Sequence, residues 1–219
     1  MAGLRMVLLR HAFSMGNARR EFSGTADVPL APQGEQMVRD YRAQGVYEAC
    51  ALSERYFSSP LTRCLQTFHL ALDGLATLDG TIDEFHEVEF GEMEGRVLER
   101  QQARAFFDAW VDGHAMAEFP HLESYAHLRE RGCRAVRRLA RDMVAQGVGS
   151  VMVVTHSAIS RALLAGMAGL PDRAWLDIDV PNALGYTLEL AVDGDEVRME
   201  RAVPWGPDAA ERPVIVPAR

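Results

Sequence analysis

Residues 6–9 (MVLL) and 151–154 (VMVV) are short, continuous apolar runs, the pattern of strands buried on both faces of a parallel sheet. Weaker strand signals lie at 55–58 and 81–85. Between them the apolar spacing turns helical: about 32–49, opened by Pro32; about 60–72, opened by Pro60; and about 97–112. The clearest helix spans about 123–146, where Leu128, Val136, Leu139 and Met143 share a face before Gly147 stops it. After His156, Ser157 is placed to cap a helix carrying Ile159, Leu163 and Met167, with Gly169 and Pro171 beyond its end. Leu184, Tyr186, Leu188, Leu190 and Val192 alternate with more polar positions, and Asp193-Gly194 then turns the chain into Val197 and Met199. This order predicts an α/β three-layer sandwich: a mostly parallel central sheet, helices on both faces and an antiparallel edge hairpin. One domain is expected over 1–204, followed by an irregular, proline-bearing tail over 205–219.

Composition narrows the function more than the fold. At 219 residues, 48% hydrophobic and 25% charged, the chain has the make-up of a soluble globular protein with a sizeable core. A net charge of -8 disfavours nucleic acid as a partner but allows a small anionic substrate where positive charge is concentrated. No apolar run approaches the roughly 18 residues of a membrane span. The opening stretch, MAGLRMVLLRHAF, is interrupted by Arg5, Arg10 and His11 and lacks the apolar centre of a secretory signal, so a cytoplasmic location is expected. Cys50, Cys64 and Cys133 form no CxxC pair, which argues against a disulfide framework or zinc knuckle, and none has an arginine six positions on, as a cysteine-phosphatase loop would.

In an open α/β sheet, ligands sit outside the carboxyl ends of the strands. Arg10 and His11 follow the first apolar run, Arg63 opens the helix after the second, Glu87 follows the third and His156 the fourth. Singly, each has a plainer reading: a basic pair where a strand meets water, a hydrogen-bonded histidine at a strand end, or one of several solvated glutamates beside Glu84, Glu89, Glu92 and Glu94. Gathered at one rim, they suit phosphoryl transfer. Arginine forks match phosphate oxygens, a neutral imidazole can attack phosphorus while a protonated one binds oxygen, and a carboxylic acid can protonate a departing alkoxide. No carboxylate cluster calls for a metal, and neither a metal nor another cofactor is expected.

The chain resembles the histidine phosphatase superfamily, the group of phosphoglycerate mutases and many phosphomonoesterases, over roughly residues 4–200. Five separated motifs carry the likeness: Arg10-His11-Ala12-Phe13-Ser14 with Asn17; FSGTADVPLAPQGEQ from Phe22, a substrate loop with Ser23 and Gly24; SSPLTRCLQT, pointing to Arg63; EVEFGEMEG from Glu87; and THS from Thr155. LESYAHLRERG from Leu122 is similar to a Gly-Glu-Ser segment, with Leu122 in place of Gly. Ala12, Phe13 and Ser157 stand where the family carries Gly, a polar residue and Gly. The resemblance implies that His11 is the nucleophile and that Glu87 is the proton donor and later the base. It places Arg10, Arg63 and the second catalytic histidine, His156, around the phosphate, with Asn17 adding a hydrogen bond and Ser23 and Gly24 touching substrate.

The expected function is a metal-independent phosphomonoesterase that works through phosphohistidine on a small phosphorylated metabolite. The alternatives are a phosphoglycerate-mutase-type phosphomutase and a catalytically weak binding protein of the same fold. The partners expected are that small substrate and at most a second copy of the chain in a homodimer, with neither nucleic acid nor membrane. Ser14 reads as a loop brace, Cys64 as a packing residue, and His69, His86, His114, His121 and His127 as structural. Arg19 and Arg20 either reach an anionic substrate tail or are solvated.

Overall fold

Met6 and Leu8 turn to one side of strand β1 (Ala2–Arg10), and Val7 and Leu9 to the other, and this split divides the whole interior. In a computed structural model describing residues 2–218, two separate apolar layers lie on opposite faces of one sheet. The first layer joins Met6, Leu8, Val151 and Val153 to α5 (Arg100–Val111), α6 (Tyr125–Ala145) and α7 (Ser157–Met167). The second joins Val7, Leu9, Met152 and Val154 to α2 (Pro32–Ala43), α3 (Glu48–Ala51) and α4 (Thr62–Leu72). Continuous apolar runs are therefore what β1 and β4 (Ser150–Thr155) need, since neither face of either strand meets water.

The sheet runs β3-β2-β4-β1-β5-β6, with β2 at Arg55–Ser58, β3 at Gly80–Thr81, β5 at Gly185–Asp193 and β6 at Glu196–Trp205. The first four strands are mutually parallel; β5 runs antiparallel to β1, and β6 antiparallel to β5. This is the expected sandwich and hairpin, with Gly194 at φ 58° in the two-residue turn.

Three local expectations change. The strand read over 81–85 shrinks to two residues because Asp83–Phe85 closes a 3-10 turn that buries Phe85. The helix read over 32–49 stops at Ala43, where Gly45 takes φ 75°, and the chain restarts as α3. Ser157 is the first residue of α7 rather than its cap, and His156, in the cap position, makes no capping bond through its side chain.

Beyond Trp205 the chain returns along β6. Ile215 exchanges two backbone hydrogen bonds with Ala202, and Arg212 donates to the carbonyls of Gly185 and Trp205. Among the described residues no helix is long and apolar enough to cross a membrane.

Candidate active site

All four parallel strands deliver their carboxyl ends to one rim. β1 leads directly into His11, β2 into Ser59 and the start of α4, β3 into the segment bearing Glu87, and β4 into His156. A cleft of 380 Å³ opens there, and Arg10, His11, Asn17, Ser23, Arg63 and Glu87 all line it. Gly24 and His156 are not among its lining residues; they lie behind Arg63 and His11.

His11 is 5% exposed, and its Nδ1 lies 2.7 Å from the carbonyl oxygen of Ala12. A carbonyl can only accept, so Nδ1 carries the proton and Nε2 keeps a lone pair with no protein partner. The loop is held from both sides. Ala12 N–H donates to Thr67 Oγ1 at 2.9 Å, while that hydroxyl donates back to the Arg63 carbonyl at 2.7 Å, which links β1's exit to the first turns of α4. Ala12 is fully buried in the α2–α4 layer, and its φ lies outside the left-handed region, so its methyl group points into the core and fits where the family has glycine.

Ser14 and Asn17 form a reciprocal cap on the short helix α1 (Met15–Arg19), each side chain accepting from the other's backbone N–H. The Asn17 side-chain oxygen is thereby occupied, and the residue lines the cleft. Arg19 pairs with Glu21 at 3.5 Å, whereas Arg20 lines the cleft.

The two arginines are used differently. Arg63, 1% exposed, donates through Nη1 to Ala26 O at 2.9 Å, through Nη2 to Gly24 O at 2.6 Å and Ser23 O at 3.3 Å, and through Nε to His156 Nδ1 at 3.2 Å. It thus holds the 23–26 loop over the site. Gly24 is needed there, since a Cβ would come within 1.9 Å of Val88 O. Arg10 gives one hydrogen bond, from Nη1 to Val180 O at 2.7 Å, and its buried Nε has no partner. Burial, with the Arg161 charge beside it, pulls the Arg10 guanidinium down to about 10.

His156 is fully buried, its ring edge-on to that of His11 at a centroid distance of 5.1 Å. Because Arg63 can only donate, Nδ1 of His156 must accept, and Nε2–H donates to Ser59 Oγ at 2.8 Å. Burial, and next the charge of Arg63, hold both imidazoles well below the ordinary histidine range, so both are neutral. Cys64 Sγ lies 3.4 Å from His156 Nε2, and burial pushes its thiol up, keeping it protonated.

Glu87 supplies the missing cap of α7. Its Oε2 accepts from Ala158 N–H at 2.9 Å, and its Oε1 accepts from Ile159 N–H at 3.1 Å and Val88 N–H at 3.0 Å. A carboxylate at a helix amino terminus also complements the helix dipole. The backbone on which Glu87 rides is clamped by Arg131 of α6, which donates to the carbonyls of Glu84, His86 and Glu87 and pairs with Glu123 at 2.8 Å. Burial raises Glu123, but the hydrogen bonds and charge of Arg131 outweigh it and hold the carboxyl below its usual range.

Sequence reasoning missed Asn182, Ser59, Thr67 and Arg131. Asn182 donates to His11 O at 3.0 Å and Asn17 Oδ1 at 3.3 Å, tying the loop after β1 to the segment that leads into β5. Its signal was available in principle, because the residues preceding an antiparallel neighbour of β1 must lie beside β1's carboxyl end. Among the described residues, no cluster of three or more His, Cys, Asp or Glu side chains could hold a metal ion.

A rim of strand ends that gathers imidazoles, guanidiniums and one carboxyl group around a cleft defines an α/β phosphoryl-transfer enzyme. The chain belongs to the histidine phosphatase superfamily (branch 1), whose sequence model matches residues 6–202. It is 30% identical over 200 residues to a 2,3-bisphosphoglycerate-dependent phosphoglycerate mutase of Rhizobium etli, covering 86% of this chain and 91% of that protein. It is 27% identical over 162 residues to an uncharacterized phosphatase of Bacillus subtilis, PhoE, covering 74% and 76%. Its fold matches the phosphoserine phosphatase of Entamoeba histolytica, solved with 3-phosphoglyceric acid, at a TM-score of 0.71 and 17% identity over 94% of this chain and 98% of that one.

Proposed function

We propose that the protein hydrolyses a small phosphate monoester through a phosphohistidine formed at His11. The observation that carries this reading is the state of His11: neutral, oriented by the Ala12 carbonyl, and offering an unpartnered Nε2 to a cleft that also holds Arg10 and Arg63. Attack by Nε2 on phosphorus breaks the ester P–O bond. The leaving alkoxide takes a proton from Glu87, and the same carboxylate then takes a proton from the water that hydrolyses the phosphohistidine. Arg10, with donors to spare, is the principal phosphate ligand; Asn17 adds a hydrogen bond, and Arg63 shapes the pocket wall together with Ser23, held from behind through the Gly24 carbonyl. His156 keeps the His11 ring in place and, on releasing Ser59, has an Nε2–H to offer to phosphate.

A phosphatase is favoured over a mutase because, among the described residues, Arg20 is the single cation lining the cleft beyond Arg10 and Arg63, too few for a second phosphate. Rapid quench with ³²P-labelled substrate tests this. An acid-labile, base-stable adduct is expected, absent in His11→Ala, with inorganic phosphate as product. Near-normal turnover by His11→Ala would remove the nucleophile assignment, and efficient phosphate exchange primed by a bisphosphate would replace hydrolysis with mutase chemistry.

A further inference from the structure

We infer that the alcohol half of the substrate carries an aromatic ring or a comparably compact apolar group, and bears no second anion. The inference rests on the phosphatase reading above and specifies which esters the site takes. Away from Arg10 and His11, the cleft is walled by Phe13, Phe22, Phe90, Leu98, Ala103 and Phe107. Ala103 and Phe107 are four residues apart on α5 and so share one helix face. Phe22 packs edge-on to Phe90 at 4.9 Å, with interplanar angle 89°, and is tilted against Phe107 at 5.6 Å. Phe90 is buried, but Phe22, Phe107 and Phe13 are only partly buried and line the cleft. Apolar side chains left part-open at the mouth of a polar site are a surface waiting for an apolar ligand.

Phe13 is presented on a fixed backbone. Its carbonyl accepts from Ala31 N–H at 3.0 Å, and Gly34 packs so closely that a Cβ there would lie 2.0 Å from the same oxygen. The electrostatics point the same way. Outside the phosphate end, the ionisable side chains that line the cleft are Arg20 and Glu21, and since Glu21 pairs with Arg19, Arg20 is a single cation at the rim. A carboxylate such as that of phosphoglycerate would meet phenyl rings and Glu21, and Arg20 would be its only counter-ion.

The experiment compares primary alkyl esters on the full chain, 2-phenylethyl phosphate, glycerol 1-phosphate, O-phosphoserine and 3-phosphoglycerate, of which the first has the most basic leaving group and so no chemical advantage. kcat/KM for 2-phenylethyl phosphate should exceed that for the other three by about tenfold or more, the scale of discrimination by an apolar pocket. Phe107→Ala should collapse the ratio of phenylethyl to glycerol ester toward unity. Phe13→Gln, at the half-exposed rim, should do the same in part and serves if the α5 variant misfolds. Equal or higher efficiency with phosphoserine or phosphoglycerate overturns the inference, as does a ratio indifferent to both substitutions. Labelling of His11 by acetyl phosphate, which needs no alcohol subsite, separates the two failures. Labelling with an inverted ester preference removes only this inference, whereas no labelling and no turnover removes the phosphatase reading and this with it.

Discussion

Arg63 Nε–H points at His156 Nδ1 across 3.2 Å, and this single contact fixes the protonation of a histidine that solvent does not reach. A guanidinium has no lone pair to offer, so it demands an acceptor and forces the imidazole proton onto Nε2. Its charge also opposes a second proton. The neighbouring His11 takes the opposite tautomer, because its Nδ1 faces a carbonyl instead. Two histidines in edge contact are thus given complementary proton positions by groups whose own protonation cannot change.

The first prediction follows from that neutrality. Nitrogen-detected NMR should show His11 as the Nδ1–H and His156 as the Nε2–H tautomer, with neither titrating from about pH 7.5 to 5.5. Unfolded histidines charge near 6.5. Above that pH both states hold the same protons. Below it the unfolded chain binds protons that the folded one refuses, so stability falls with falling pH, by up to about 1.4 kcal/mol per unit for each histidine, until the folded values are reached. An ordinary titration of either ring, or stability flat through this window, would contradict the assignment.

The second prediction separates the two jobs of Glu87. Glu87→Gln keeps the volume but places an NH₂ group where Ala158 or Ile159 N–H needs an acceptor. The orphaned donor should lower the unfolding free energy by about 1–3 kcal/mol, measured by urea denaturation. Loss of the transferable proton should slow single-turnover phosphorylation by an alkyl phosphate by about 10²- to 10⁴-fold, and by a nitrophenyl ester much less. Equal slowing of both esters would make Glu87 an electrostatic or structural residue and not the proton donor.

The third concerns a residue distant from the cleft. Arg131→Met strips the buried Glu123 of its arginine, leaving only the exposed His127 ring and the Glu89 N–H as partners, and releases the carbonyls of Glu84, His86 and Glu87. A loss of about 3–5 kcal/mol is expected. If the clamp positions Glu87, the surviving folded protein should also lose more kcat on alkyl esters than on nitrophenyl esters, which a purely structural role would not produce.

The parts legible in the sequence are those with a period or a place in a motif. The apolar runs of β1 and β4 announced strands buried on both faces, the alternation from Leu184 announced the hairpin, and Arg10, His11, Arg63 and Glu87 come to one cleft. Contacts between segments far apart in the chain were not legible. The cap of α7 comes from Glu87, outside the helix, so a local search could only find Ser157. Arg131 clamps three backbone carbonyls, which leave no mark on residue type, whereas Asn182 could be sought only once β5 was known to run antiparallel beside β1. The partners of His156 were not legible either: Arg63 and Ser59 engage its two nitrogens, a geometry that no spacing encodes.

The bridge between Ile215 and Ala202 has a colloidal consequence. The outermost strand of any sheet offers unpaired N–H and C=O groups on which another molecule can add a strand of its own. On β6, ten residues long, the returning tail satisfies both backbone groups of Ala202, while Glu196, Arg198, Glu200 and Arg201 place charges along the remainder. The last residues therefore act as a gatekeeper against self-association, and a chain ending at Trp205 should first betray its loss in concentration-dependent light scattering rather than in turnover.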